Sequence, residues 1–213
     1  MRRCILFATL PEAEATLERL SAQRIAPSRY SFFGGEILIS GLGMHRAQAA
    51  LLMHGAAYDE LWNLGIAGAL SELPLFTLVS IGQVHKYVPP CRLSAHARAL
   101  MESALPPFTL DGDERLLSSD FPLHTRKKKS GLYSLVDMEG YGVAFAAHQL
   151  SKKCSIWKIV SDFASPGGSA LIAKHMRECS LALAKKVEEE LCAIPQCFLQ
   201  EDWQKHELLI LRK

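Results

Sequence analysis

Short apolar runs separated by stretches of helical periodicity are what most constrains the fold of this chain. "CILFA" (4–8), "EILIS" (36–40), "ELWNL" (60–64), "LYSLV" (132–136) and "SIWKIV" (155–160) have the length of buried strands. Between and after them, apolar residues recur at helical spacing: through Ala13, Leu17 and Leu20, from about Arg46 to Ala57, from Ser94 to Leu105, at Val143, Ala146, Ala147 and Leu150, and from Gly168 to Cys192. Thr9-Leu10-Pro11-Glu12 reads as the first helix start: Thr caps, Pro sits early, and Glu completes a capping box. "FTLVSIGQVHKYV" (76–88) is one long strand or a bent pair, and 106–129 reads as irregular. Buried strands alternating with helices need cover on both sheet faces. The expectation is an α/β fold: a single-domain three-layer α/β/α sandwich around a mixed central sheet. The domain spans 1–194. Residues 195–213 form a tail of unassigned role packed on the same domain, with "ELLILRK" as a candidate edge strand.

Charge and composition exclude several classes of function. A net charge of +2 is too small for a nucleic-acid or membrane surface. The one dense basic run, Arg126-Lys127-Lys128-Lys129, reads as a solvated loop. No segment approaches the roughly 18 uninterrupted apolar residues of a spanning helix. Two arginines before the apolar run Cys4 to Leu10 resemble a signal peptide, but Pro11 and Glu12 follow at once and no small-residue cleavage site appears, so a first buried strand is expected. The six cysteines form no C-x-x-C pair and no zinc-spaced cluster, which fits free thiols in a reducing cytoplasm. No metal or organic cofactor is indicated.

Open α/β sheets bind ligands beyond the carboxyl ends of their strands. The strands here run into "TLPEAE", "GLG", "GIAG", "DMEG" and "SDFASPGG". Each junction also has a purely structural reading. Glu12 can be a capping residue and Glu14 a solvated helix residue. Ser161 or Asp162 can cap a helix. Asp137 and Glu139 can complement a helix dipole, and the glycines can make tight turns. "GLG" lacks the third glycine of a dinucleotide fingerprint, and no strand-end acid stands about twenty residues on.

Taken in order, "TLPEAEATL", "SGLGMHRAQAALL", "NLGIAGAL", "SLVDMEG" and "KIVSDFA" resemble the nucleoside phosphorylase/nucleosidase superfamily. Within it they are most similar to the 5′-methylthioadenosine/S-adenosylhomocysteine nucleosidases and the futalosine-type nucleosidases of menaquinone synthesis. The resemblance runs from Cys4 to about Leu191, and "DMEG" with "VSD" is its most specific part. It implies a nucleoside phosphorylase-like fold, a homodimer, and cleavage of a purine–ribose bond through an oxocarbenium-like state.

By the same resemblance Asp162 would protonate the leaving purine at N7. A carboxylic acid in a pocket that excludes water can hold its proton near neutrality. Glu14 would activate water, and Glu139 would bind the ribose hydroxyls. Met138 would pack beside the sugar, and Phe121 would flank the base or else anchor its loop. Val136, Ala67, Gly68 and Ser161 would line the base and sugar sites. Three departures bear on the substrate. Ile66 stands where many methylthioadenosine nucleosidases have Ser, Lys158 stands where they often have Arg, and "VDMEG" replaces "VEMEA". The implied reaction is hydrolysis of methylthioadenosine, S-adenosylhomocysteine or aminodeoxyfutalosine, with release of adenine; Ile66 leans to the futalosine group, and "VDMEG" leans to that group or to the phosphorylases. A phosphorylase, or a nucleoside-binding protein without chemistry, are the alternatives. A carboxylate at the position of Glu14 would repel phosphate.

Overall fold

Strand β1 (Arg3–Phe7) is buried along its whole length, and its alternate residues feed two cores. In this computed structural model, which describes residues 1–89, 94–123 and 132–193, Cys4 and Leu6 enter one core and Ile5 and Phe7 the other. That is the period-two geometry of a strand covered on both faces. Helices α1 (Leu10–Arg19) and α5 (Gly168–Cys192) cover the Ile5–Phe7 face through Ala13, Cys179, Leu183 and Val187. Helices α2 (Met44–His54) and α4 (Gly140–Gln149) cover the other through Met44, Ala47, Leu51, Val143 and Ala147. The fold is the expected α/β/α arrangement with a mixed sheet.

The remaining strands are β2 (Gln23–Ala26), β3 (Arg29–Phe32), β4 (Gly35–Ile39), β5 (Glu60–Ala69), β6 (Leu78–Lys86), β7 (Phe108–Thr109), β8 (Glu114–Ser118), β9 (Leu135–Asp137) and β10 (Lys153–Asp162); α3 (Ala95–Ser103) lies between β6 and β7. The sheet runs β10-β6-β8-β9-β5-β1-β4-β3-β2, and β10 also pairs with β5. Strands β5, β10, β6, β8 and β9 therefore close into a ring, and β1, β4, β3 and β2 leave it as an open arm. No helix among the described residues is long and apolar enough to cross a membrane.

Several elements differ from the sequence expectation. "GIAG" is not a turn: β5 runs straight through it to Ala69. Its glycines mark close approaches instead. A Cβ on Gly65 would meet the side chains of Lys158 and Glu12, and one on Gly68 would lie 3.1 Å from the Ala164 Cβ. Strand β10 continues through Ser161 to Asp162, with a register shift after Val160 that re-aims its last residues. The β2–β3 hairpin and strands β7 and β8 lie in stretches whose sparse apolar alternation gave no strand signal. The basic run 126–129 and the tail 195–213 lie outside the described residues.

Two helices meet where the site is built. A Cβ on Gly142 of α4 would lie 2.2 Å from the Met44 carbonyl oxygen at the start of α2. Gly142→Ala is expected to push α4 off α2. Overpacking of this kind costs about 1–3 kcal/mol, and at this chain length each kcal/mol moves Tm by about 2–4 °C. A thermal melt should show a drop of several degrees.

Candidate active site

Helix α1 begins with Thr9 as its cap. Glu12 Oε2 accepts a hydrogen bond from the Thr9 N–H at 2.8 Å, the return bond of a capping box, and another from the Thr9 hydroxyl at 3.0 Å. Its other oxygen, Oε1, reaches across to β5 and accepts from the Ile66 N–H at 3.3 Å. Glu12 is 3% exposed. The cap is therefore also a group of the interior, and the two readings of this residue coexist. Ser180 of α5 ties the same turn down: its hydroxyl donates to the Glu12 carbonyl and accepts from the Ala15 N–H, both at 3.0 Å.

Glu14 is not at this site. It is exposed, and its carboxylate accepts from Arg177 Nη1 at 3.3 Å, beside the Arg177–Glu18 pair. Two residues along a helix are about 200° apart around the axis, so Glu12 and Glu14 face opposite ways. The signal was present in the sequence: Glu14 and Glu18, like charges four residues apart, mark a solvent face.

Strand β9 delivers the next acids. Asp137 Oδ1 accepts from the Ser118 hydroxyl at 2.6 Å, and Oδ2 accepts from the Gly140 N–H and Lys158 Nζ, both at 2.9 Å. Glu139 is the cap residue of α4, and its Oε1 accepts from the Gly43 N–H at 2.8 Å. That amide faces Glu139 because "GLG" turns through left-handed backbone at Gly41 (φ +80°) and Gly43 (φ +105°), which glycine adopts without strain.

Lys158, 1% exposed, rises from β10 beside Gly65. A Cβ on Gly65 would sit 3.3 Å from Lys158 Nζ and 3.4 Å from Glu12 Oε1, so the missing side chain lets acid and ammonium converge there. Burial works against the lysine's charge, but Asp137, Glu139 and Glu12 outweigh it and hold its pKa above the ordinary value. Burial, then the charges of Asp137 and Glu12, push the Glu139 carboxyl up to about 7; Lys158 and the Gly43 N–H pull it the other way. Native Glu139 thus keeps a proton that the unfolded chain has released, so it lowers stability as pH rises from about 4.5 to about 7.

The far end of β10 supplies Asp162. Its Oδ2 accepts from the Ala164 N–H at 2.9 Å, and its Oδ1 lies 3.0 Å from the Ser161 hydroxyl, which is also 3.3 Å from the Ala67 carbonyl. Ala164 points its amide back at Asp162 by adopting a left-handed backbone, φ +46°, which a non-glycine residue holds only under local strain. Helix α5 starts hard against this carboxylate: a Cβ on Gly168 would lie 2.5 Å from Oδ2.

Strand register gathers the other candidates. Gly68 pairs with both Asp162 and Val136, and Ala67 with Val160, so Ala67, Gly68, Val136, Ser161 and Asp162 are neighbours. Met138 is half-buried between Asp137 and Glu139. Phe121 follows β8, 44% exposed, with its ring edge-on to Tyr87 at 5.9 Å. Sequence reasoning gave Lys158 and Ser118 no role in the site and saw in Glu12 only a cap.

At the level of sequence the chain matches no family model and no curated protein. Its structure is similar to several solved ones. An MTAN from Chlamydia trachomatis bound to MTA shares 21% identity, with 92% of this chain and 100% of that one covered at a TM-score of 0.77. A 5′-methylthioadenosine/S-adenosylhomocysteine nucleosidase (MTAN) from Helicobacter pylori shares 18% identity over 91% and 99%, at a TM-score of 0.70. A mutant futalosine hydrolase from the same organism shares 18% over 91% and 100%, also at 0.70. Over nearly its whole length, then, this chain has the fold of the 5′-methylthioadenosine/S-adenosylhomocysteine nucleosidases and futalosine hydrolase.

Proposed function

We propose that the protein hydrolyses the N-glycosidic bond of a 5′-modified purine nucleoside and releases adenine. The observation that carries this reading is the convergence of Glu12, Asp137, Glu139 and Lys158 inside the fold, at strand ends that also carry Asp162. Glu12 is the base that takes a proton from water. Asp162 donates a proton to N7 of the purine, which leaves as a neutral molecule. Glu139 accepts hydrogen bonds from the ribose hydroxyls, and its negative charge favours the cation that develops on the sugar. Met138 packs on the sugar. Phe121 flanks the base, and Val136, Ala67, Gly68 and Ser161 line its slot.

Water is favoured over phosphate because three carboxylates face one ammonium in the interior. Two like charges 4 Å apart repel by about 4 kcal/mol at an effective dielectric near 20. The substrates in view are methylthioadenosine, S-adenosylhomocysteine and aminodeoxyfutalosine. Such an enzyme would serve methylthioadenosine salvage or menaquinone synthesis by the futalosine route, in the cytoplasm, where the buried thiols of Cys4, Cys154 and Cys179 stay reduced.

The test is incubation of pure protein with each of the three nucleosides, with and without phosphate, following free base by chromatography. Release without phosphate is expected. Strict dependence on phosphate would show a phosphorylase, and binding without release would show a receptor.

The active unit is a homodimer in this reading. Leu42, in the turn before α2, and Leu52 and Met53, near its end, are exposed apolar side chains that a second copy would cover. Sedimentation should give a dimer at micromolar concentration, and Met53→Lys should shift it to monomer; a monomeric parent protein would count against the assignment.

A further inference from the structure

Asp137 and Lys158 take no step in the proposed chemistry, yet they form the most deeply buried ion pair among the described residues. Their side chains are 0% and 1% exposed, with Nζ 2.9 Å from Oδ2. Desolvating two charges is costly, so such a pair is weak support for stability alone. Its surroundings indicate another role. Asp137 spends both oxygens on protein donors: Ser118 on Oδ1, Gly140 N–H and Lys158 on Oδ2. Ser118 in turn accepts from the Tyr141 N–H at 2.9 Å. Asp137 thus binds the first turn of α4 directly and again through Ser118. Glu139 stands at the cap of that same turn.

We propose that Asp137 and Lys158 are positioning residues for the ribose subsite: Asp137 fixes the α4 turn that carries Glu139, and the opposed charges of the pair govern how much of Glu139 is ionised. This rests on the reading that ionised Glu139 grips the ribose hydroxyls. Glu139 is faced by Asp137 from β9, Lys158 from β10, Glu12 from α1 and the Gly43 N–H from the turn before α2. Of the pair, Asp137 pushes the Glu139 carboxyl up and Lys158 pulls it down. Removing either charge must therefore move Glu139 in opposite directions.

The experiment compares the pH dependence of kcat/KM in the parent protein, Asp137→Asn, Lys158→Met and Lys158→Arg. Activity should rise through an acid limb as Glu139 ionises. The limb should move down by about one pH unit in Asp137→Asn and up by a similar amount in Lys158→Met. Lys158→Arg should leave it in place. A purely structural role would lower turnover in both variants without mirror-image shifts, and that result overturns the proposal. Titration of the Glu139 side-chain carboxyl by ¹³C NMR in ligand-free protein, assigned with Glu139→Gln, gives the same comparison without turnover. If Lys158→Met does not fold, Asp137→Asn decides alone: an unchanged or raised midpoint sinks the proposal. Mirror-image midpoints in a protein that releases no base would uphold the pair and overturn the nucleosidase reading instead.

Discussion

Glu12→Gln is expected to slow base release by about a hundredfold or more, while Glu14→Gln leaves it within about twofold. The two residues are two positions apart on one helix, and the structure separates them completely. A glutamine at 12 still offers one oxygen to the Thr9 or Ile66 amide, so much of the cap survives while the base is lost. A glutamine at 14 loses only an exposed ion pair with Arg177. Steady-state kinetics on the preferred nucleoside, beside thermal melts of both variants, checks this. Loss of turnover in Glu14→Gln, or full activity in Glu12→Gln, would refute the assignment of the base.

The second large effect falls on the acid. Asp162→Asn should lower kcat by about a hundredfold with a smaller change in KM, because only proton donation is removed. The amide can still accept from the Ala164 N–H and donate to the Ser161 hydroxyl, so the β10 end keeps its shape. A p-nitrophenyl riboside sharpens the comparison. Its leaving group departs as a stable anion and needs no proton, so the variant should cleave it nearly as fast as the parent protein. Equal losses on the nucleoside and the nitrophenyl substrate would mean that Asp162 shapes the site rather than protonates the base.

Much of the architecture was legible in the chain because it follows from local rules. The apolar runs at 4–8, 36–40 and 155–160 read as buried strands, and the capping box at Thr9 and Glu12 announced its helix. The acids at strand ends were visible as well, since polar residues interrupting apolar runs stand out. "GIAG" was misread because glycine signals a turn and a close approach alike, and only the partner across the sheet tells them apart. Here the partners are Lys158 and Glu12 at Gly65, and Ala164 at Gly68.

Local sequence determined that this chain would form α/β layers and that Glu139 and Asp162 would stand where strands end. Which neighbouring acid turns inward was decided by tertiary structure. Ser180 and Ile66, 168 and 54 residues from Glu12, hold that residue toward β5, and Arg177, 163 residues away, holds Glu14 toward water. The charge of the site was decided in the same way. Asp137 and Lys158 meet only because β9 and β10 belong to one closed ring of strands, and burial among those strands is what makes their charges felt at Glu139. Such long-range pairings leave no mark on any short stretch of sequence, because neither residue's neighbours in the chain bear on them.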